Sequence, residues 1–341
     1  MNSKLFKSLA FSLCATLIGS TAFAQDAEDY NFKVTGKIRS FYGQYNDGSS
    51  GHNAYLTEFN EGNIAGSVQR GKMKGYYELE SRADSGSIVT MRNVTYALDN
   101  GFNFGVGTFK NKAAFAFASD AGTDTAESSK FAFYSGLLTK VEGDGLQLGF
   151  KTSDLQLDLY TYESDLLAKT EGSTTEVGAQ GKAGAISYRL SAISATTDNH
   201  QGGATAGSSG NHLGIQYQAD SFGVAVDSAG KSVGHAKATT TSATGVSTTT
   251  AAYNTVYTDV ALMATLNLGD DKLFVTLAQE SKKDDTTGAK KTSYGTTNVV
   301  YSIPVAKSAS INLAYASQST TPEGGTATTA SFFGLGMNIS L

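Results

Sequence analysis

Asp120, Asp124 and Glu127 stand together in a long polar connection, and four of the chain's five arginines (Arg39, Arg70, Arg82 and Arg92) precede residue 93. Gathered acids can ligate a metal, take part in acid–base catalysis, or act purely through their field. The spacing Asp-x3-Asp-x2-Glu offers three carboxylates, but it lacks the alternating oxygen ligands and central Gly of a calcium loop. Its plain alternative is a solvated acidic loop tip. Catalysis needs a base held against a nucleophile. The four histidines, His52, His200, His212 and His235, are scattered over loops and strand ends, and no H-E-x-x-H, G-x-S-x-G or P-loop pattern occurs. The sequence therefore predicts no catalytic residue, no metal site and no cofactor. What remains is electrostatic, and it needs a scaffold that holds the charges in place.

The closing segment TASFFGLGMNISL indicates that scaffold. Phe333, Leu335, Met337, Ile339 and Leu341 alternate with Gly334, Gly336, Asn338 and Ser340, so a strand here has one apolar face and one small, polar face. An apolar face at a chain end makes sense against lipid, with the polar face towards a water-filled lumen. At the other end, Lys4 and Lys7 precede LAFSLCATLIG and Ala22-Phe23-Ala24, the pattern of a secretory signal peptide cleaved after Ala24. The apolar stretch is short of the ~20 residues a membrane helix needs. Residues 1–24 are thus the signal, and residues 25–341 the mature domain. Cleavage takes the only cysteine, Cys14, with it, and removing Lys4 and Lys7 moves the formal charge from −5 to −7. An acidic balance argues against a nucleic-acid partner, which needs basic patches. Pro is rare, at 2, against 17 Tyr and 18 Phe, as suits long hydrogen-bonded strands.

Alternating segments recur through the chain. The first is 33–44. Hairpins follow at 62–70 with 74–82, 87–98 with 102–110, 146–151 with 155–162, 174–182 with 185–194, 211–219 with 222–228, 255–268 with 272–281, and 292–303 with 308–317 over a turn holding Pro304. The last strand is 329–341. The total is about sixteen strands. Tight turns such as Asp99-Asn100-Gly101 alternate with long polar connections near 46–61, 111–144, 195–210 and 229–250. Short turns on one rim and long loops on the other predict an all-β, antiparallel transmembrane barrel with short periplasmic turns and long extracellular loops. A soluble sandwich or secreted adhesin also alternates, but it explains neither the loop asymmetry nor the apolar C-terminal face. Trp is absent, so any aromatic girdle is built from Tyr and Phe.

Three stretches in order, FKVTGKIRSFYGQYND, EGNIAGSVQRGKMKGYYELES and MRNVTYALDNGFNFGVGTFKN, resemble the first strand and next two hairpins of the general diffusion porins of Gram-negative bacteria, and the last strand resembles that family's C-terminal signal. The resemblance covers roughly the first 165 residues and the final strand. Leu341 departs from it, since the family usually ends in an aromatic residue; the apolar face is kept, and recognition by the outer-membrane assembly machinery is the step put in question.

The resemblance implies a homotrimer of sixteen-stranded barrels in the outer membrane, passing ions and small hydrophilic solutes by passive diffusion. It implies that the loop after the fifth strand, 110–136, folds into the lumen. Ala113–Ala118, with Phe115 and Phe117, is too apolar for an exposed loop and would pack against the inner wall. Asp120, Asp124 and Glu127 would then be the acidic side of the constriction. Lys37 and Arg39 on the polar face of strand one, Arg82 beside Glu78 and Glu80, and Arg92 would be its basic side on the barrel wall. Arg70 has the apolar parity of its strand and is expected at the periplasmic rim, since an Arg on the lipid face near the midplane costs ~2–4 kcal/mol. A substrate-selective channel and a non-conducting structural or adhesin barrel are the alternatives.

Overall fold

The computed structural model describes residues 30–46, 48, 53–82, 86–110, 142–163, 171–199, 204–235, 238–241, 247–250, 253–284 and 291–340. The expected signal peptide, the segment holding Asp120, Asp124 and Glu127, and Leu341 lie outside these residues. The strands are β1 (Tyr30–Asn46), β2 (Asn53–Arg70), β3 (Met73–Arg82), β4 (Gly86–Ala97), β5 (Phe102–Lys110), β6 (Glu142–Lys151), β7 (Leu155–Glu163), β8 (Glu171–Ala183) and β9 (Ile186–Asn199). They continue as β10 (Ala204–Gln218), β11 (Phe222–His235), β12 (Ala238–Thr241), β13 (Ser247–Thr250), β14 (Tyr253–Leu268), β15 (Asp271–Asp284), β16 (Thr292–Ala306), β17 (Ala309–Pro322) and β18 (Thr328–Ser340).

Sixteen of these strands close into one antiparallel barrel, in which each pairs with its sequence neighbours and β18 returns to β1. β12 and β13 form a separate hairpin in the connection between β11 and β14. Closure runs from Lys37 opposite Ser340 to Asn46 opposite Ser331, so no edge strand is left unpaired in the barrel.

Alternation sets the two faces. Phe333, Leu335, Met337 and Ile339 point outward, Phe333 being 60% exposed, while Phe332 is buried on the inner side. The same parity puts Val94, Val106, Leu146, Leu148, Val226, Leu262 and Leu313 on an exposed, apolar outer band. Towards the long-loop rim the outer positions of most strands turn polar: Thr108, Asn211, Ser228, Thr297, Ser317 and Ser331 stand next to the last apolar outer residue of their strands. That ring marks where the hydrocarbon-facing band ends.

At the short-turn rim the outer face carries aromatic pairs. Ring centroids are 6.0 Å apart for Tyr30–Phe32, 5.4 Å for Tyr96–Phe104, 4.9 Å for Phe102–Phe150 and 5.8 Å for Tyr217–Phe222. These amphipathic rings form the Tyr/Phe girdle expected at a membrane interface. In the turns beside them, Lys72 donates to the carboxylate of Asp99 on the neighbouring turn, and that hydrogen bond holds its ammonium pKa above the ordinary lysine value. Gly101, at φ 91°, supplies the left-handed residue of the β4–β5 turn.

Several boundaries differ from the sequence expectation. β2 begins at Asn53 rather than 62, β9 and β10 nearly meet across the expected 195–210 loop, and β11 runs on to His235. Thr196–Asn199 and Ala204–Asn211 are small or polar at every position, and the start of β2 mixes Tyr55, Leu56 and Phe59 with polar residues without alternation. No pattern announces these extensions, yet the barrel's hydrogen-bond ladders carry on through them. Pro304 lies inside β16 rather than in the turn, at a register shift between Pro304 and Ala306 where the missing N–H is tolerated.

Candidate functional site on the inner barrel wall

The inner wall is where sequence and solutes would meet, and it is charged. Glu78 on β3 is buried, accepting from Asn63 Nδ2 at 3.3 Å and from Tyr76 Oη at 3.0 Å. Asp158 on β7 is buried and takes Gln147 Nε2 at 3.0 Å and Gln156 Nε2 at 2.6 Å. Glu176 on β8, Asp227 on β11 and Asp259 on β14 are buried as well, and Glu280 on β15 is half-buried. All share the parity of small inner neighbours such as Gly178, Ala225 and Ala261, opposite the lipid-facing Val and Leu of the same strands. His212 Nε2 meets Asp227 Oδ1 at 2.9 Å, with both side chains 3% exposed. Inner cations include Lys37 on β1, Arg189 on β9 and Lys231 on β11, each half-buried, and the exposed Lys282 on β15.

The predicted basic residues fare differently. Lys37 takes the inner parity of β1, with Asn63 and Ser340 as its cross-strand partners. Arg39 lies two residues on, in register with Glu61 and Asn338, and Arg82 closes β3 in register with Gly86. The side chains of Arg39 and Arg82 lie outside the described residues.

Arg92 is corrected by the structure: it lies on the outward face, not on the lumen wall. It pairs in register with Thr108, as Val94 does with Val106, and those valines face outward. Its guanidinium is 3.8 Å from Asp144, with the side chains 70% and 65% exposed, and Thr108 Oγ1 donates to the same carboxylate. The cluster sits at the polar ring near the long-loop rim. A bulge that adds one residue to β4, between Val89 and Met91 opposite Leu79 and Glu78, resets the parity there. Beside it Gly107 has φ 125°, and a Cβ would stand 2.2 Å from the carbonyl oxygen of Arg92, so only glycine lets β5 close on β4 here.

Arg70 is found where expected, on the outer parity at the short-turn rim, stacked on Tyr30. The inner carboxylates Glu176, Asp227, Asp259 and Glu280 were missed. Their signal is present: in Phe222–Asp227 the acid falls on the Gly223/Ala225 side of the alternation, and in Val256–Leu262 Asp259 falls with Ala261.

One part of the inner wall is apolar. Val300, Ala314, Ala316 and Phe332, on β16 to β18, form a buried cluster joined by Tyr45, Phe274 and Ala330. A second small cluster joins Phe109, Tyr160 and Ile193. Among the described residues no group of three or more His, Cys, Asp or Glu side chains converges as a metal would require.

No family model and no curated protein matches the chain. Solved structures do match in fold. A loop-deletion form of OmpT, an outer membrane protein of Vibrio cholerae, superposes with a TM-score of 0.66 at 10% identity, covering 92% of this chain and 100% of that one. An anion-selective porin from Comamonas acidovorans gives 0.65 at 10% identity, over 92% and 100% of the chains. OmpF of Salmonella typhi, solved with daunomycin, gives 0.57 at 12% identity, over 92% and 98%. At such identities the likeness is one of architecture, and the architecture of this chain is that of the outer-membrane porins: a closed barrel of sixteen antiparallel strands.

Proposed function

We propose that this chain forms a water-filled channel in the bacterial outer membrane for passive diffusion of ions and small hydrophilic solutes. One observation carries the reading. The barrel wall has an apolar outer band and a charged inner face, so it is built for hydrocarbon outside and polar cargo inside. Mixed acids and bases around the lumen set a local field that orients polar solutes, while apolar ones are held back by their desolvation. Nothing in that passage needs a chemical step. His212 has Asp227 on one ring nitrogen, and its Nδ1 has no hydrogen-bond partner, so no nucleophile is engaged there.

The constriction belongs to the same proposal. Asp120, Asp124 and Glu127 supply its acidic side, and Lys37, Arg39 and Arg82 its basic side. The buried apolar cluster on β16 to β18 supports an infolded loop, because it offers Ala113–Ala118 an apolar surface within the barrel. Export by a signal peptide cleaved after Ala24, recognition of the last strand by the assembly machinery and assembly as a homotrimer complete the reading. Bilayer recording of the purified protein tests it: stepwise, ohmic conductance is expected, and silence from folded protein would favour a structural or adhesin barrel.

A further inference from the structure

We propose that the inner wall of β11, β14 and β15 carries a binding station for ammonium-bearing organic cations, centred on Asp259 and Glu280. The inference deepens the channel reading and rests on it.

Asp259 and Glu280 are direct cross-strand partners, and both take the inner parity. Directly opposed side chains in an antiparallel pair have Cβ atoms about 4.5–5.5 Å apart, and like charges placed so are destabilising. Asp227 adds a third carboxylate. Asp259 faces Ala229 on β11, so Asp227, two residues along, is its diagonal neighbour at about 7–8 Å. Asp227 has its donor in His212. Asp259 has no side-chain donor: its carboxylate takes the backbone N–H of Val260, but the residue is 4% exposed and its Oδ1 has no hydrogen-bond partner. A buried carboxylate oxygen without a donor is costly, so its presence inside a lumen points to a donor that arrives with the cargo. Lys282, two residues along β15 on the same inner parity, sets its charge against Glu280 and holds its ammonium 5.8 Å over the ring of Tyr257.

The surroundings select the cargo's chemistry. Tyr294 is the cross-strand partner of Glu280, which puts an aromatic side chain beside the carboxylates. Carboxylates next to an aromatic ring recognise an ammonium group through charge-assisted hydrogen bonds and cation–π attraction. The carboxylates are arrayed along the wall rather than converging on a point, which fits a cation with several N–H donors better than a chelated metal.

The test uses the full-length folded protein, spermidine as the probe, and the variants Asp259→Asn and Asp99→Asn, the latter in the β4–β5 turn at the short-turn rim. In planar bilayers spermidine should interrupt the wild-type current in proportion to its concentration. Asp259→Asn should raise the half-blocking concentration about tenfold, the loss of one charge-assisted hydrogen bond, and Asp99→Asn should leave it unchanged. Stepwise conductance with the same half-block in wild type and Asp259→Asn would overturn the station and keep the channel. Calorimetric titration of spermidine into detergent-folded protein should show the same tenfold difference. Silent bilayers with that difference intact would overturn the channel and keep the station; equal binding by both proteins would overturn the station.

Discussion

Arg70 lays its guanidinium over the ring of Tyr30, 5.0 Å from the centroid, and donates a hydrogen bond of 2.9 Å to the tyrosine hydroxyl. The pair joins the end of β2 to the start of β1 on the outer surface of the short-turn rim. A charge on the lipid-facing parity is tolerated there because it sits at the interface and is stacked. Arg70→Ala should therefore cost only about 0.5–1 kcal/mol in urea unfolding from lipid vesicles. Leu148→Arg, on the apolar outer band, should cost ~2–4 kcal/mol in the same assay. Equal costs would mean that the rim and band are wrongly placed.

Arg92 and Asp144 make the same argument at the other rim. Their pair is exposed and on the outer face, so Arg92→Gln should leave the reversal potential in a KCl gradient unmoved and change stability by no more than about 1 kcal/mol. Lys37→Gln, on the inner parity, should shift the reversal potential towards cation preference. A larger shift from Arg92→Gln than from Lys37→Gln would return Arg92 to the lumen.

His212 and Asp227 are both buried, so neither partner can lose the other to water without penalty. His212→Ala leaves a buried carboxylate short of a donor and should destabilise the barrel by about 1–3 kcal/mol. His212→Gln, which can still donate, should recover much of the loss. Urea unfolding followed by tryptic protection reads both; no difference between the two variants would show that the hydrogen bond is not what stabilises this site.

If Asp120, Asp124 and Glu127 line the constriction, changing all three to their amides should move ion selectivity towards anions. Reversal potentials before and after the change measure it, and an unchanged value would remove this segment from the narrowest point. An unheated gel band at monomer size would count separately against the trimer.

The sequence revealed the barrel because its strands see two different solvents. Leu146, Leu148 and Phe150 alternate with Gln147 and Gly149, and the same contrast marks the lipid face of the terminal strand. Along Ala204–Asn211 small and polar residues fill both parities, and at the start of β2 Tyr55, Leu56 and Phe59 do not alternate with polar residues, so these strands read as loops. Arg92 was misplaced for a related reason. The faces of β4 are mixed, and a one-residue bulge shifts its parity, which only the register shows. The inner acids needed parity to be followed through every strand. Asp158 and Glu78 were legible beside strong alternation, whereas Asp259 and Glu280 become a pair only when β14 is laid against β15.

The central claim is that this barrel conducts. Purified, refolded protein added to a planar lipid bilayer should produce stepwise, ohmic current increments whose reversal potential responds to the lumen charges. Folded, heat-modifiable protein that leaves the bilayer silent across repeated additions would contradict it.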